Sequence, residues 1–177
     1  MGESLHPEKL RSIEEIRTIA ESYRSSGRKV VATSGVFDVI HPGHVHCLKT
    51  ARQQGNVLIL CINSDESVAR LKGQDRPFFN QNNRAYILSN LNPVDHIVIF
   101  AEDDPRNILS IIKPAIYVKS REGYKGLEGE VVKSGGGQIV LIDDVYEVGS
   151  STEVIDYITR IIEETNKRFL KEGSVFS

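Results

Sequence analysis

The amino-acid sequence predicts an α/β protein: a single Rossmann-like domain with a five-stranded parallel sheet and helices on both faces. Three observations predict it. Short β-branched runs alternate five times with helical stripes. The connections between them are short. The run Val57 to Ile62 is apolar throughout, as a strand covered on both sides must be. At 177 residues, 40% hydrophobic and 26% charged, the chain is long enough to bury one substantial core.

The elements follow in order. Residues 8–26 carry Leu10, Ile13, Ile16, Ala20 and Tyr23 at three- and four-residue steps, a helical stripe ended by Gly27. Lys29 to Thr33 is a buried strand. Gly43 to Gln54 is helical, with Val45, Leu48 and Ala51 on one face and Gly55 beyond its end. Val57 to Ile62 is the second strand. Glu66 to Leu71 and Asn83 to Leu91 are short helices. His96 to Phe100 is a strand, and Pro105 to Ile112 a helix with proline at its first position. Ala115 to Val118 is a strand, Leu127 to Ser134 a helix stopped by Gly135-Gly136-Gly137, and Gln138 to Ile142 the fifth strand. Ser151 to Leu170 closes the chain as a helix with the stripe Val154, Ile155, Ile158, Ile161 and Ile162. The expected layout is an N-terminal helical extension over 1–27, a catalytic domain over 28–171 and a frayed tail over 172–177. In such sheets ligands bind beyond the carboxyl ends of the strands, where the strand order reverses.

Charge narrows the function. The 22 basic and 24 acidic side chains leave a net charge of −2, the wrong sign for a nucleic-acid surface. Anion binding must then be local. Cys47 and Cys61 sit among apolar residues without a Cys-x-x-Cys pair and read as reduced, buried thiols. No apolar run has the length of a membrane span. The polar N-terminus (MGESLHPEKL) lacks a secretory signal, so a cytoplasmic protein is expected.

The chemistry concentrates in Thr33-Ser34-Gly35-Val36-Phe37-Asp38-Val39-Ile40-His41-Pro42-Gly43-His44, which follows the first strand and opens a helix. The glycine fingerprints of dinucleotide and P-loop sites are missing, which excludes an NAD-dependent dehydrogenase. The physics of phosphate binding is present all the same. Free N–H groups at Gly43 and His44 lie at a positive helix end, and Gly43 admits close approach of a ligand. His41 and His44 are three residues apart, so both rings reach one point on a first helical turn and donate to a phosphoryl oxygen as charge develops. No protein metal site is expected. Lys72, Arg76 and Arg84 are cations between the second and third strands, read either as a grip on a triphosphate or as a solvated charged loop. Asp38 either orients a substrate or ion, or caps.

Thr33 to His44 resembles the signature of the cytidylyltransferase-like nucleotidyltransferase superfamily, whose hallmark is His-x-Gly-His. Asn63-Ser64-Asp65, Lys72-Gly73, Arg76-Pro77, Arg84, Lys113-Pro114, Tyr117-Val118-Lys119, Tyr124 and Gly149-Ser150-Ser151-Thr152 extend the likeness over about residues 30–160. Their order most resembles the adenylyltransferase domain of the ADP-heptose synthase (D-glycero-beta-D-manno-heptose 1-phosphate adenylyltransferase) family. The glycerol-3-phosphate cytidylyltransferases are a more distant likeness. The resemblance implies catalysis by His41, His44, Lys72 and Arg84. It implies nucleotide binding by Ser34, Gly35, Phe37, Gly43, Asn63, Lys119, Ser151 and Thr152, and acceptor binding by Asp38, Arg76 and Tyr124. Two departures stand out. Lys119-Ser120-Arg121-Glu122-Gly123-Tyr124 replaces the usual Lys-Gly-Gly-Asp-Tyr, and no arginine stands in Tyr146 to Thr152, where cytidylyltransferases carry one.

The implied reaction is direct in-line transfer of a nucleoside monophosphate, AMP favoured, from a nucleoside triphosphate to a sugar phosphate. Mg²⁺ is expected on the triphosphate, since no carboxylate cage is apparent. Alternatives are a CTP-dependent enzyme acting on an alcohol or sugar phosphate, and a non-catalytic nucleotide sensor. The expected partners are the triphosphate and a small phosphorylated acceptor, without nucleic acid or membrane, and with a homodimer as the possible assembly.

Overall fold

The computed structural model describes residues 7–143 and 155–164. Five parallel strands, β1 (Val30–Gly35), β2 (Val57–Asn63), β3 (His96–Phe100), β4 (Ile116–Ser120) and β5 (Gln138–Ile142), form one sheet in the order β3-β2-β1-β4-β5. Six helices, α1 (Ile13–Ser25), α2 (Pro42–Gln53), α3 (Asp65–Lys72), α4 (Gln81–Ser89), α5 (Arg106–Ile112) and α6 (Glu128–Ser134), connect them. Residues 155–164 are helical.

The sheet separates two apolar cores. Val30, Ala32, Ile59, Cys61, Val98 and Tyr117 point to one face, where Ile16 and Ala20 of α1, Ile108, Leu109 and Ile112 of α5 and Val132 of α6 cover them. Val31, Leu58, Leu60, Ile62, Ile97 and Val118 point to the other, under Leu48 and Ala51 of α2 and Ala85 and Leu88 of α4. Every residue of β2 is buried, which is why its sequence is apolar without alternation.

The structure moves several expected boundaries. The first helix starts at Ile13, because Ser12 and Glu15 form a reciprocal capping box there. Leu10 is outside the helix. It bridges Ile97, with Arg11 N donating to Ile97 O and Ile97 N to Lys9 O, so the chain before α1 covers the open edge of β3. The first strand runs on to Gly35, past the expected Thr33. Helix α4 begins at Gln81 because Asn80 accepts from Asn83 N, and it ends at Ser89. Pro105 caps α5 from outside its first turn. Cys61 is buried as expected, but Cys47 is only half-buried. The expected tail over 172–177 lies outside the described residues. Among the described residues, no helix is long and apolar enough to cross a membrane.

One irregularity in the sheet falls where its strand order reverses. The β1–β2 ladder runs from Val30–Val57 to Gly35–Ile62, and β4–β5 from Ile116–Gln138 to Ser120–Ile142. Between β1 and β4 the register covers Val31–Ile116 and Ala32–Tyr117 and stops. Strand order reverses at this same pair. The β1–β4 ladder therefore ends short of the carboxyl edge at the switch point, where open α/β sheets place their ligands.

Candidate active site

The loop that leaves β1 is held in an uncommon conformation. Phe37 has φ 49°, a left-handed backbone for a bulky side chain, and is nevertheless buried. A Cβ on Gly35 would stand 2.9 Å from the Phe37 ring, so only glycine lets this ring fold back onto the strand. The other side of the Phe37 ring meets His44 at 4.8 Å between centroids. Glycine, phenylalanine and histidine thus form a stack that fixes the position of one imidazole.

His41 is the N-cap of α2, Pro42 its first residue, and His44 lies on its first turn. The two imidazole centroids are 3.8 Å apart with their planes tilted by 34°. The rings converge as the three-residue spacing predicts. The His44 pKa is lowered to about 3, first by burial, then by the neighbouring His41, against a hydrogen bond with the Val39 backbone that raises it. At neutral pH His44 is uncharged and has a single N–H, which the Val39 backbone takes. One expected amide is not free: His44 N donates to His41 O at 3.0 Å. The amide of Gly43, on the same first turn, has no backbone hydrogen bond among the described residues.

Asp38 and Arg76, expected at the acceptor, meet each other. Asp38 is 2% exposed and accepts from Arg76 Nε at 2.8 Å and Nη2 at 2.7 Å. It also accepts from Phe78 N and Phe79 N. This one carboxylate pins the loop 76–79 to the histidine segment. The exposed Phe78 ring lies 4.8 Å from the Arg76 guanidinium.

Arg84, expected to grip phosphate, is 1% exposed. Its Nε donates to Phe79 O, Nη1 to Val36 O, and Nη2 to both Asn63 O and Asp65 Oδ1. With those donors engaged inside the protein, it clamps the loop after β1, the end of β2 and the start of α4 together. Asn63 is buried, and its amide donates to Ser67 Oγ and, at 3.4 Å, to Glu102 O. Lys72 is exposed in the last turn of α3. Tyr124 folds over α6: a Cβ on Gly129 would lie 2.6 Å from its hydroxyl. Ser151 and Thr152 lie outside the described residues.

Lys119 lies on β4 beyond the last residue paired with β1. Its Nζ donates to Ser34 O at 2.8 Å and to Ser34 Oγ at 3.3 Å, and Ser34 Oγ is 2.7 Å from Tyr117 Oη. The ammonium occupies the place where the ladder has ended. Burial holds its pKa below the usual lysine range and pushes the Tyr117 phenol up. Tyr117 belongs to the Tyr117-Val118-Lys119 run that carries the resemblance, but its bond to Ser34 is not legible in the sequence, because a tyrosine on an apolar strand reads as a core residue.

Among the described residues, no group of three or more His, Cys, Asp or Glu side chains is placed to hold a metal ion.

Comparison with known proteins agrees with the geometry. A cytidylyltransferase-like family model matches residues 32–160. The chain is 44% identical over 147 residues to the Bifunctional protein HldE of a Nitratiruptor species, covering 83% of this chain and 31% of that protein. It is 41% identical over 160 residues to the Bifunctional protein HldE of Geobacter metallireducens, covering 88% and 32% respectively. The chain thus spans about a third of the length of these curated relatives. Among solved structures, the lipopolysaccharide core biosynthesis protein from Thermoplasma volcanium aligns at TM-score 0.57 and 27% identity, over 68% of this chain and 100% of that one. A pantoate-beta-alanine ligase from Francisella tularensis aligns at TM-score 0.54 and 16% identity, over 76% of this chain and 66% of that one, a likeness of fold alone.

Proposed function

Because the chain belongs to the cytidylyltransferase-like family and is a nucleotidyltransferase, we propose that it transfers AMP from ATP to a sugar phosphate of the heptose 1-phosphate class. An acceptor phosphate oxygen attacks the α-phosphorus, a new P–O bond forms, the α–β bridging bond breaks, and pyrophosphate leaves. No covalent enzyme intermediate is needed, so the protein's contribution is positioning and charge stabilisation. The paired imidazoles of His41 and His44 carry the proposal, with centroids 3.8 Å apart at the start of α2. The single N–H of neutral His44, held by the Val39 backbone in the free protein, passes to the α-phosphoryl oxygens as charge builds there, with the Gly43 amide beside it. Lys119 and Lys72 supply the positive charge for the nucleotide phosphates, and Ser151 and Thr152 the hydroxyls for its outer end. Asp38, Arg76 and Arg84 act by shaping the loops that flank the substrates. Tyr124 lies on the acceptor side. The triphosphate arrives as its Mg²⁺ complex, with the metal part of the substrate.

The preference for ATP rests on the order of the sequence motifs and on the missing arginine in Tyr146 to Thr152. A cytoplasmic site of action and a homodimer complete the reading; sedimentation velocity giving a monomer would remove the dimer from it. The decisive experiment is His44→Ala, assayed by pyrophosphate release with ATP or CTP and a panel of sugar and alcohol phosphates. Loss of one preorganised donor lowers turnover by roughly 10²–10³. A variant as fast as the wild type would sink the assignment.

A further inference from the structure

We infer that Tyr117 is a positioning residue: its hydroxyl donates to Ser34 Oγ, and that bond leaves the Ser34 hydroxyl proton and the third Lys119 N–H, side by side, as a pair of donors for phosphate oxygens of the nucleotide. The inference rests on the proposal that Lys119 binds nucleotide phosphate, and it gives a place in that site to a residue to which the resemblance assigns no role.

Three polar side chains meet where the β1–β4 ladder ends at Ala32–Tyr117. Ser34 Oγ is 2.7 Å from Tyr117 Oη and 3.3 Å from Lys119 Nζ. Lys119 Nζ also donates to Ser34 O at 2.8 Å. Tyr117 is fully buried, and Ser34 is 5% exposed. In such a place every hydrogen needs an acceptor, from the protein or from a ligand.

The 2.7 Å contact between the two hydroxyls suits donation in either direction, and the supply of hydrogens decides between them. The Lys119 ammonium has three N–H donors and accepts nothing, so it donates into Ser34 Oγ in both cases. Burial pushes the Tyr117 phenol up, so it keeps its proton. Ser34 Oγ is the one hydrogen-bond partner of that phenol among the described residues. If the serine donated, the phenol hydrogen would be sealed in the core without an acceptor, a costly arrangement that no ligand could relieve. If the tyrosine donates, the two lone pairs of Ser34 Oγ are filled by Tyr117 and Lys119, and the hydrogen left over belongs to Ser34. That residue is the better placed to use it. Ser34 is two positions nearer the carboxyl edge than the last paired residue of β1, and it precedes the Gly35 on which the Phe37–His44 stack is built. Lys119 spends two of its N–H groups on Ser34 and keeps one. The two remaining donors thus sit on atoms 3.3 Å apart, close enough to meet one phosphate group.

The test is Tyr117→Phe, which keeps the ring and removes the donor, beside Ser34→Ala and the double variant. ATP–Mg²⁺ affinity is measured by calorimetry. Proteins carrying ¹³C at lysine Cε report on the ammonium by NMR, the Lys119 signal being identified by its loss in Lys119→Met. In Y117F the Lys119 signal shifts, and ATP binds more weakly, on the order of tenfold. The KM for ATP rises with it, which a smaller folded fraction would not cause. S34A weakens binding at least as much, and adding Y117F to S34A changes nothing further, because the tyrosine acts through the serine hydroxyl. Folded Y117F with wild-type affinity and an unmoved Lys119 signal overturns the inference. So does a Y117F effect of full size in the S34A background. Should Y117F fail to fold, S34A cuts the same link from the other end, and an unmoved Lys119 signal there overturns it. If K119M and S34A bind ATP as tightly as wild type while the Lys119 signal moves in Y117F, the nucleotide role of Lys119 has failed and the hold of Tyr117 on the pair stands.

Discussion

The His44 imidazole would ordinarily take up a proton near pH 6.5, and in the fold it resists doing so until about pH 3. That resistance has a consequence for stability as well as for chemistry. Between those two values the unfolded chain binds a proton that the folded chain refuses, so acid favours unfolding. The neutral histidine's contribution is intact above pH 6.5 and is lost progressively as pH falls toward 3, by at most about 1.4 kcal/mol per pH unit. His44→Gln, which cannot titrate, therefore melts at a temperature that depends less steeply on pH below 6.5 than the wild type does. Thermal denaturation at a series of acidic pH values checks this, and parallel curves for the two proteins would show that His44 titrates normally in the fold. The same neutrality fixes how His44 contributes to catalysis. In the mechanism we propose it contributes as an uncharged hydrogen-bond donor, with lysines on neighbouring strands and helices supplying the positive charge.

The elements around that residue act through contact geometry. Gly35 ends β1, Phe37 turns back in a left-handed conformation, and His44 opens α2; the Phe37 ring touches the other two. In Gly35→Ala the new methyl meets the Phe37 ring at 2.9 Å, and the ring must yield toward the imidazole. Overpacking of this kind costs about 1–3 kcal/mol, and a misplacement of order 1 Å at a reacting group costs about 10²-fold in rate. We expect G35A to remain folded and to lose turnover while retaining ATP binding. Calorimetry beside a pyrophosphate assay separates the two, and unchanged turnover means that the ring does not position His44. How far such features were legible in the sequence depends on their range. The five strands and the helix stripes were legible because burial on both sheet faces writes long apolar runs into the chain. The histidine pair was legible because its geometry is local to one helical turn. The boundaries that moved were set by single side chains, such as the Ser12–Glu15 box and the Asn80 cap, or by a distant partner, as when Leu10 leaves the helix to pair with Ile97. The stack on Gly35 could not be read, because nothing in the residue types announces a positive φ at phenylalanine.

At the scale of the whole molecule, Arg84 shows why cations are hard to assign from sequence. A guanidinium satisfies a phosphate and a set of carbonyls with the same fork of donors. Position in the chain cannot tell the two uses apart; only the fold decides which acceptors it meets. Here they are Val36 O, Asn63 O, Phe79 O and the Asp65 carboxylate, drawn from the loop after β1, the end of β2, the loop before α4 and the start of α3. These segments carry the catalytic motif on one side and the Asp38-pinned loop on the other, so one buried residue sets the spacing of both walls of the site. Arg84→Met fills much of the volume but leaves the buried Asn63 carbonyl and the part-buried Val36 and Phe79 carbonyls without their donor and Asp65 without its ion pair. A buried carbonyl left without its donor costs about 1–3 kcal/mol, which lowers the melting temperature of a domain this size by roughly 5 °C. Circular dichroism melts of R84M therefore show a large loss of stability, and any loss of activity is accompanied by it. A variant that melts with the wild type yet no longer turns over would instead return Arg84 to the substrate phosphates, and the clamp described here would be incidental to its function.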